Sequence, residues 1–296
     1  MKNKLISQLI KLGISSDDSL QILHPRTRDN ENLNVLKCSK SGVIILEEIL
    51  TNSEYYAQAE KRGSTITAGK EINPQHLEDD HRRFNLHRNF IKDLDVLDFG
   101  CGKGGFLELT NAISKNSIGI ELNQEHLQIV NDMNIKCVSS IEELQGNFSF
   151  DTITLNHVFE HLTEPFEVLE KLATLLNEQG TMIIEVPHAR DILLETFDLK
   201  DFKDFTFWSE HLILHTKESL TKFASHSGLQ LKKIDCFQRY PLANHFNWLL
   251  EGKPGGHEKY SSLHNREFQN HYQSFLSKIN QTDTLIGYFK KFDSNA

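Results

Sequence analysis

The sequence predicts an α/β fold in which a doubly wound, mostly parallel β-sheet is covered by helices on both faces. Short apolar segments typical of buried strands alternate with amphipathic helical segments between residues 93 and 240. Four glycines within six positions follow the first of these strands. The chain has 296 residues, enough for one such domain with further segments at both ends.

The predicted core begins with a short buried strand, DVLDFG, and a helix, GGFLELTNAIS. The next segments alternate in the same way: strand SIGIEL, helix QEHLQIVNDM, strand IKCVSS, strand FDTITLNHV, helix EPFEVLEKLATLL and strand TMIIEVP. A helix, a glycine turn and another strand are predicted over 216–240, with Thr216 as the N-cap of this helix. Because parallel strands need crossover connections, this order favours right-handed strand–helix–strand units.

The chain is divided into three parts. Residues 1–75 are predicted to form an N-terminal extension, a lid with a helix and a short strand pair, and its polar end, 47–75, is interpreted as a mobile connection. Residues 76–240 form the core domain, and residues 241–296 are predicted to be a helical C-terminal extension.

Composition excludes several classes of protein. A net charge of −9 argues against nucleic-acid or anionic-membrane partners, which select basic surfaces. No apolar run approaches the roughly 18 residues of a membrane span, and the N-terminus lacks a signal-peptide pattern. The cysteines have no metal-binding spacing and are predicted to be free thiols in the cytoplasm: Cys38, Cys101, Cys137 and Cys236.

The glycine loop is expected to bind a ligand, because ligands of open α/β sheets lie at the carboxyl ends of the strands. Two ligand classes fit the loop. Gly100, Gly102 and Gly105 have the G-x-G-x-x-G spacing of NAD-binding proteins, and Glu121 has the position of their ribose-binding acid. Asp98, however, would repel a pyrophosphate and suits a ligand with a positive charge, such as S-adenosylmethionine.

Three segments of the predicted core can be compared with a known family: VLDFGCGKGGFL, IGIELN and FDTITLNHVFEHLTEPFEVLEKLATLLNEQGTMIIEVP. Together they resemble class I S-adenosylmethionine-dependent methyltransferases over about residues 93–240. The resemblance is closest to small-molecule enzymes such as the ubiquinone-biosynthesis O-methyltransferases. It implies a Rossmann-like, seven-stranded sheet, S-adenosyl-L-methionine as cofactor, and methyl transfer to a small polar acceptor. An NAD-dependent oxidoreductase and a non-catalytic cofactor-binding assembly module remain the alternatives.

The acceptor is expected to be a sugar or nucleotide-sugar hydroxyl in bacterial cell-surface polysaccharide biosynthesis. This expectation rests on VLKCSKSGVIIL, which is similar to a strand pair that precedes the methyltransferase domain in some proteins of such pathways. Neither nucleic acid nor membrane is expected as a partner, and a homodimer through the terminal segments remains open.

The resemblance assigns the cofactor site to the ends of the predicted strands. The glycine loop and the acid before it would line the methionine part, the second strand end would hold the ribose, the residues after the third strand would border the adenine, and the fourth strand end would face the methyl group. In chain order these residues are Asp98, Gly100, Gly102, Gly104, Glu121, Leu122, Ser140, Ile141 and Asn156.

The predicted catalytic residues follow the fourth strand. His157 is the natural general base near neutral pH, and Glu160 and His161 come directly after it. In some relatives an E-x-x-E-H pattern holds a divalent cation, but His157 replaces its first glutamate here. We therefore expect no metal, and Glu160 with His161 are the residues that would hold one.

Five residues are predicted to contact the acceptor. Arg82 and Arg83 are candidates for binding an anionic group, although a charged run of this kind is often only a solvated helix face. His211 and His215 lie in a segment that borders the acceptor pocket of similar methyltransferases, and Tyr240 follows the last predicted strand.

Overall fold

The computed structural model of the chain describes residues 3–50, 74–263 and 265–292, and of residues 74–76 it describes the backbone only. Most of the predicted mobile connection, 47–75, therefore lies outside the described residues. Within the described ranges, no helix has both the length and the apolar character needed to cross a membrane.

Eleven strands form two sheets in the described part of the chain. They are β1 (Leu20–His24), β2 (Val35–Cys38), β3 (Ile44–Leu46), β4 (Asp95–Phe99), β5 (Asn116–Ile120), β6 (Lys136–Val138), β7 (Phe150–Asn156), β8 (Leu176–Pro187), β9 (Ile213–Leu214), β10 (Leu229–Phe237) and β11 (Thr284–Lys291). The large sheet has seven strands in the order β10-β11-β8-β7-β4-β5-β6. Strands β4 to β8 run parallel, and β11 is antiparallel to both of its neighbours. The predicted fold class is confirmed.

The helices precede, connect and follow these strands. They are α1 (Lys4–Lys11), α2 (Pro74–Leu86), α3 (Gly105–Asn111), α4 (Gln124–Asp132), α5 (Pro165–Leu175), α6 (Ile192–Glu195), α7 (Lys200–Thr206), α8 (Lys217–His226), α9 (Leu242–Glu251), α10 (Gly256–Lys259) and α11 (Arg266–Lys278). Short 3₁₀ turns cover Arg88–Phe90, Phe159–His161 and Ser261–Leu263. The predicted N-cap is confirmed, because the Thr216 hydroxyl accepts a hydrogen bond from the Ser219 N–H at the start of α8.

The main apolar core covers the large sheet and continues into the N-terminal segment, where it includes Leu5, Val35 and Ile44. In β8, all seven residues from Gly180 to Val186 are buried, as expected for a strand covered on both faces. One of them is charged: Glu185 is fully buried at the carboxyl end of this strand. Burial of a carboxylate requires compensating partners, which the site supplies.

The N-terminal segment shares a sheet with the core domain. Strands β1, β2, β3 and β9 form a four-stranded antiparallel sheet, in which Ile44 pairs with Leu214 and Ile45 with Ile213. The predicted helix and strand pair are present as α1, β2 and β3. The lid role of this segment stays a prediction.

The predicted boundary at residue 240 is wrong. Strand β11, Thr284–Lys291, lies inside the large sheet between β8 and β10. Residues 241–283 are therefore an insertion between the last two strands, and they carry α9, α10 and α11. The sequence pattern missed β11 because an antiparallel return strand breaks the strand–helix alternation on which the boundary was based.

Candidate active site

The glycine loop after β4 brings exposed backbone to the carboxyl edge of the sheet. Gly100, Gly102 and Gly104 have φ values of 75°, 55° and 82°, which favour residues without a side chain. A Cβ on Gly100 would lie 2.5 Å from Val158, and one on Gly104 would lie 2.8 Å from Val130. A Cβ on Gly102 would have no atom within 4 Å among the described residues other than its chain neighbours. The backbone of Gly102 is therefore the part of the loop that a ligand can approach.

Glu121 connects the end of β5 to this loop. Its Oε2 accepts a hydrogen bond from the Gly102 N–H at 2.8 Å, and its Oε1 accepts one from the Asn123 N–H at 2.9 Å. A carboxylate has about four acceptor positions, so both oxygens retain capacity for ribose hydroxyls. The side chain of Leu122 is exposed next to it.

Asp98 is a buried carboxyl group directly before the loop. Its Oδ1 accepts hydrogen bonds from Thr154 Oγ1 at 2.6 Å and from Asn156 Nδ2 at 3.2 Å. Burial raises the pKa of Asp98 to about 6, although these two hydrogen bonds act in the opposite direction. Asn156 Oδ1 is buried without a hydrogen-bond partner among the described residues. A cationic ligand would satisfy both groups.

The residues predicted to border the adenine lie after β6. Ser140 is partly exposed, whereas Ile141 is only 6 % exposed and belongs to the main apolar core. Glu143 holds this turn, because it accepts hydrogen bonds from the N–H and the hydroxyl of Ser139 at 2.9 and 2.8 Å. Ser140 and the turn backbone therefore offer more surface to a ligand than Ile141 does.

His157 is held in an unusual backbone conformation at the end of β7, with φ of 55°. Its Nδ1 lies 3.2 Å from Glu160 Oε1. Its Nε2 lies 3.1 Å from Arg239 Nη1 and 3.2 Å from Glu185 Oε1. Since arginine can only donate, the neutral ring accepts from Arg239 at Nε2 and carries its proton on Nδ1, toward Glu160.

The structure brings Glu160 and His161 together with His211. One ligand atom from each lies within 4.8 Å of the other two, and Glu160 Oε2 has no hydrogen-bond partner among the described residues. Burial alone would raise the pKa of Glu160, but the hydrogen bond to His157 and the nearby histidines hold it at about 2. Burial lowers the pKa of His211 to about 3, so its ring is neutral.

Arg82 and Arg83 differ from their predicted role as free anion-binding groups. Arg82 donates to both oxygens of Glu185, at 3.0 and 2.7 Å, and Arg83 donates to Glu185 Oε1 at 2.9 Å. Arg82 also pairs with Asp79, one helical turn earlier. These arginines compensate the buried carboxylate and hold α2 against the sheet.

The other predicted acceptor residues separate into three environments. His215 is 1 % exposed, contacts Ser219 Oγ at 3.1 Å through Nδ1 and stacks on Phe159, so its prediction as a contact residue is wrong. The apolar segment LIL before His215 contributes strand β9, and His215 itself forms a β-bridge with His188. The side chain therefore lies in the core rather than on a pocket surface. His211 joins the cluster with Glu160. Tyr240 lines a cavity of about 790 Å³.

Three central residues were absent from the sequence prediction: Glu185, Asp79 and Arg239. Glu185 gave a signal, since it is the single charge in the apolar segment TMIIEVP. Asp79 lies in the charged run EDDHRRF, in which only the two arginines were predicted to bind a ligand. Arg239 gave no signal in the sequence, because its hydrogen bonds to Asp79 and His157 join residues that are 160 and 82 positions apart.

Comparison with protein families identifies a methyltransferase domain, whose family model matches residues 42–234. A ubiquinone biosynthesis O-methyltransferase of Rickettsia bellii is 32 % identical over 122 residues, which cover 38 % of this chain and 50 % of the relative. An uncharacterized methyltransferase of Schizosaccharomyces pombe is 31 % identical over 114 residues, covering 32 % and 40 %. The chain thus spans half or less of the length of these relatives.

Solved structures share the fold at low sequence identity. A SAM-dependent methyltransferase from Archaeoglobus fulgidus aligns with a TM-score of 0.51 and 22 % identity, covering 73 % of this chain and 94 % of that one. Magnesium protoporphyrin IX methyltransferase from Synechocystis, with bound SAH, aligns with a TM-score of 0.50 and 12 % identity, covering 81 % and 98 %. The family model covers more than half of the chain, so the chain belongs to the class I S-adenosylmethionine-dependent methyltransferases.

Proposed function

We propose that this chain transfers a methyl group from S-adenosylmethionine to a hydroxyl of a small polar acceptor, a sugar or nucleotide-linked sugar of bacterial cell-surface polysaccharide biosynthesis. The observation that carries the proposal is the open backbone of Gly102, which donates to Glu121 and lies in the loop that follows Asp98. Oxygen as the methylated atom is supported by relatives named as O-methyltransferases. The free thiols of all four cysteines favour the cytoplasm as the place of reaction.

The residues at the sheet edge fit the cofactor. S-adenosylmethionine supplies a methyl group that its sulfonium already activates for displacement. Asp98 and the unpaired Asn156 Oδ1 are acceptors for the ammonium of its methionine part, and Glu121 accepts from the ribose hydroxyls. The absence of a side chain at Gly102 lets the backbone come within contact distance. The chain then has to align the acceptor and remove its proton.

His157 is the proposed base, and a carboxylate lies beside each of its two ring nitrogens. In the neutral ring Nε2 accepts from Arg239, while Nδ1–H donates to Glu160. Nε2 can take the proton of the acceptor hydroxyl only after it releases the hydrogen bond from Arg239, and its new N–H then faces Glu185 Oε1 at 3.2 Å. A positioned base of this kind contributes about 10²–10⁴-fold in rate.

Calorimetric titration with S-adenosylmethionine tests the cofactor assignment. Glu121→Ala removes the ribose acceptor, and we expect the dissociation constant to rise about 10-fold or more, as for the loss of one charge-assisted hydrogen bond. Glu125→Ala, on the exposed start of α4, is the matched control and should bind like the wild type. Binding of NAD, or an unchanged constant in Glu121→Ala, would contradict the assignment.

Turnover separates an enzyme from an assembly module. We expect labelled methyl groups to reach nucleotide-linked sugars, and His157→Ala to lose at least about 100-fold in kcat while it keeps its affinity for the cofactor. A His157→Ala variant as active as the wild type would favour the non-catalytic alternative.

A divalent cation at Glu160, His161 and His211 is a second candidate, favoured by their mutual distances within 4.8 Å. Two imidazoles and a carboxylate suit Mn²⁺ or Zn²⁺. Electron paramagnetic resonance with Mn²⁺ tests it: His211→Ala should lose binding that the exposed control His271→Ala retains. Equal Mn²⁺ binding by both variants, or no binding by the wild type, would exclude this cluster.

A further inference from the structure

The insertion forms a cavity of about 790 Å³ with α2 and the end of β10. Arg239 reaches both this cavity and His157. Its side chain lines the cavity, and its Nη1 donates to His157 Nε2 at 3.1 Å. Its backbone N–H is fixed by Asp283, at the other end of the insertion. One guanidinium group therefore connects the cavity to the proposed base.

Carboxamides form a large part of the polar wall of the cavity. Five of them line it: Gln238, Asn265, Gln269, Asn270 and Gln273. A carboxamide both donates and accepts, which matches a hydroxyl group in the same two respects. Within the described ranges, no protein hydrogen bond engages the side chains of Asn270 or Gln273. The rings of Phe237 and Tyr240 supply flat apolar surface beside these groups.

The charges on the wall leave one cation, Arg266, and one anion, Glu78, without an ion pair among the described residues. The charged lining consists of Arg82, Arg239, Arg266, Glu78 and Asp79, with His257 beside them. Asp79 is neutralised by Arg82 and Arg239. Arg266 is exposed at the start of α11, and none of the ion pairs among the described residues includes it. An anionic group of a ligand would have a charge-assisted partner there.

We propose that this cavity is the acceptor site and takes a phosphorylated sugar, whose hydroxyls bind the carboxamides of Asn270 and Gln273 and whose phosphate binds Arg266. The proposal rests on the proposed methyl transfer and assigns its substrate class to residues of the insertion. A flat phenolic acceptor has fewer hydroxyls than a sugar and no phosphate, so it would make fewer hydrogen bonds with these residues. Arg239 aligns the bound sugar with His157.

The test uses the full chain saturated with S-adenosylhomocysteine, whose binding is measured first for every variant. UDP-glucose and 3,4-dihydroxybenzoate are then titrated to about 10 mM, the weak end of the measurable range. We expect UDP-glucose to bind more tightly than 3,4-dihydroxybenzoate. Arg266→Gln and Gln273→Leu should each weaken UDP-glucose about 10-fold. Gln128→Leu, an exposed carboxamide on α4, is the matched control and should not.

The outcomes separate the two proposals. If the wild type fails to bind S-adenosylhomocysteine, the proposed function fails. If it binds S-adenosylhomocysteine but not UDP-glucose, or prefers 3,4-dihydroxybenzoate, only the acceptor assignment is overturned. Arg266→Gln and Gln273→Leu variants that bind UDP-glucose like Gln128→Leu would also overturn it. Their affinity for S-adenosylhomocysteine reports whether they are folded.

Discussion

At the scale of single residues, the loop of Gly102 follows one acidic group in the chain, Asp98, and is hydrogen-bonded to a second, Glu121. Asp98 is buried and has its pKa raised to about 6, whereas Glu121 is partly exposed and accepts two backbone N–H groups. The first suits a fixed cation that replaces the missing solvent, and the second suits hydroxyl donors. The same short loop therefore distinguishes the two ends of an elongated ligand.

Gly102→Ala should reduce the affinity for S-adenosylmethionine, whereas Gly13→Ala should reduce only the stability of the fold. Gly102 and Gly13 both have positive φ, 55° and 63°, and in the described part of the chain a Cβ on either would meet no atom within 4 Å beyond its chain neighbours. Each alanine should therefore cost about 1 kcal/mol of stability through backbone strain. Only Gly102→Ala places a methyl group where the ligand approaches, and calorimetry should show a loss of about 10-fold or more in affinity for S-adenosylmethionine. Similar affinities in both variants would contradict the placement of the ligand.

Asp98 predicts a pH dependence of cofactor binding. The ionised carboxylate is the form that attracts a cation, and with a pKa of about 6 it becomes protonated as the pH falls through that value. Affinity for S-adenosylmethionine should therefore decrease below about pH 6, and binding there should release protons. Titrations between about pH 5 and 8 test this, and Asp98→Asn should be weaker and flat over the range. An equally steep profile in Asp98→Asn would assign the titration to another group.

At the scale of elements, α2 is attached to the sheet through charge. Arg82 and Arg83 bind Glu185 on β8, and Asp79 pairs with Arg239 after β10. These contacts hold α2 over the strand ends that carry the candidate site. Helix α2 also precedes β4 in the chain. Its attachment to the sheet therefore holds the segment that leads through β4 into the glycine loop.

Glu185→Gln should destabilise the fold strongly. It removes the carboxylate from two partly or fully buried guanidinium groups, and breaking such a pair costs about 3–5 kcal/mol. Urea unfolding measures the change. Glu31→Gln is the matched control, because it removes the partner of Arg26 at the surface, where Glu31 is 73 % exposed, and should change stability little. Equal losses in the two variants would show that the buried contacts add nothing.

The sequence predicted the elements whose pattern is local. Strands β4 to β8 are apolar runs separated by helices or turns, and Asp98, Gly100 and Glu121 follow from their ends. The ion pairs of α2 could not be predicted in this way, since Arg82 and Glu185 are 103 positions apart. Strand β11 was missed because polar helices precede it and it returns antiparallel.

At the scale of the whole molecule, the insertion is fixed at its base by buried acids. Asp283 accepts from the backbone N–H groups of Arg239 and Tyr240 directly before β11, and Asp191 caps α6 by accepting from the Leu193 N–H at 2.8 Å. Burial raises the pKa of both carboxyl groups. The residues that enclose the cavity therefore depend on groups whose charge changes with pH.

Asp191→Asn should flatten the dependence of stability on pH. Burial and the nearby Asp283 raise the pKa of Asp191 to about 8 in the folded protein, whereas the unfolded chain releases this proton near its ordinary value of 3.8. The contribution of Asp191 to the free energy of unfolding is thus fully present at low pH. It is lost as the pH rises toward about 8, at up to about 1.4 kcal/mol per pH unit. Asparagine keeps an oxygen for the Leu193 N–H and carries no proton to lose. Urea unfolding should therefore show the largest gain of Asp191→Asn over the wild type near pH 8, and none for the exposed control Asp17→Asn. Parallel stability curves for the wild type and Asp191→Asn would show that this acid is not what makes the insertion pH-sensitive.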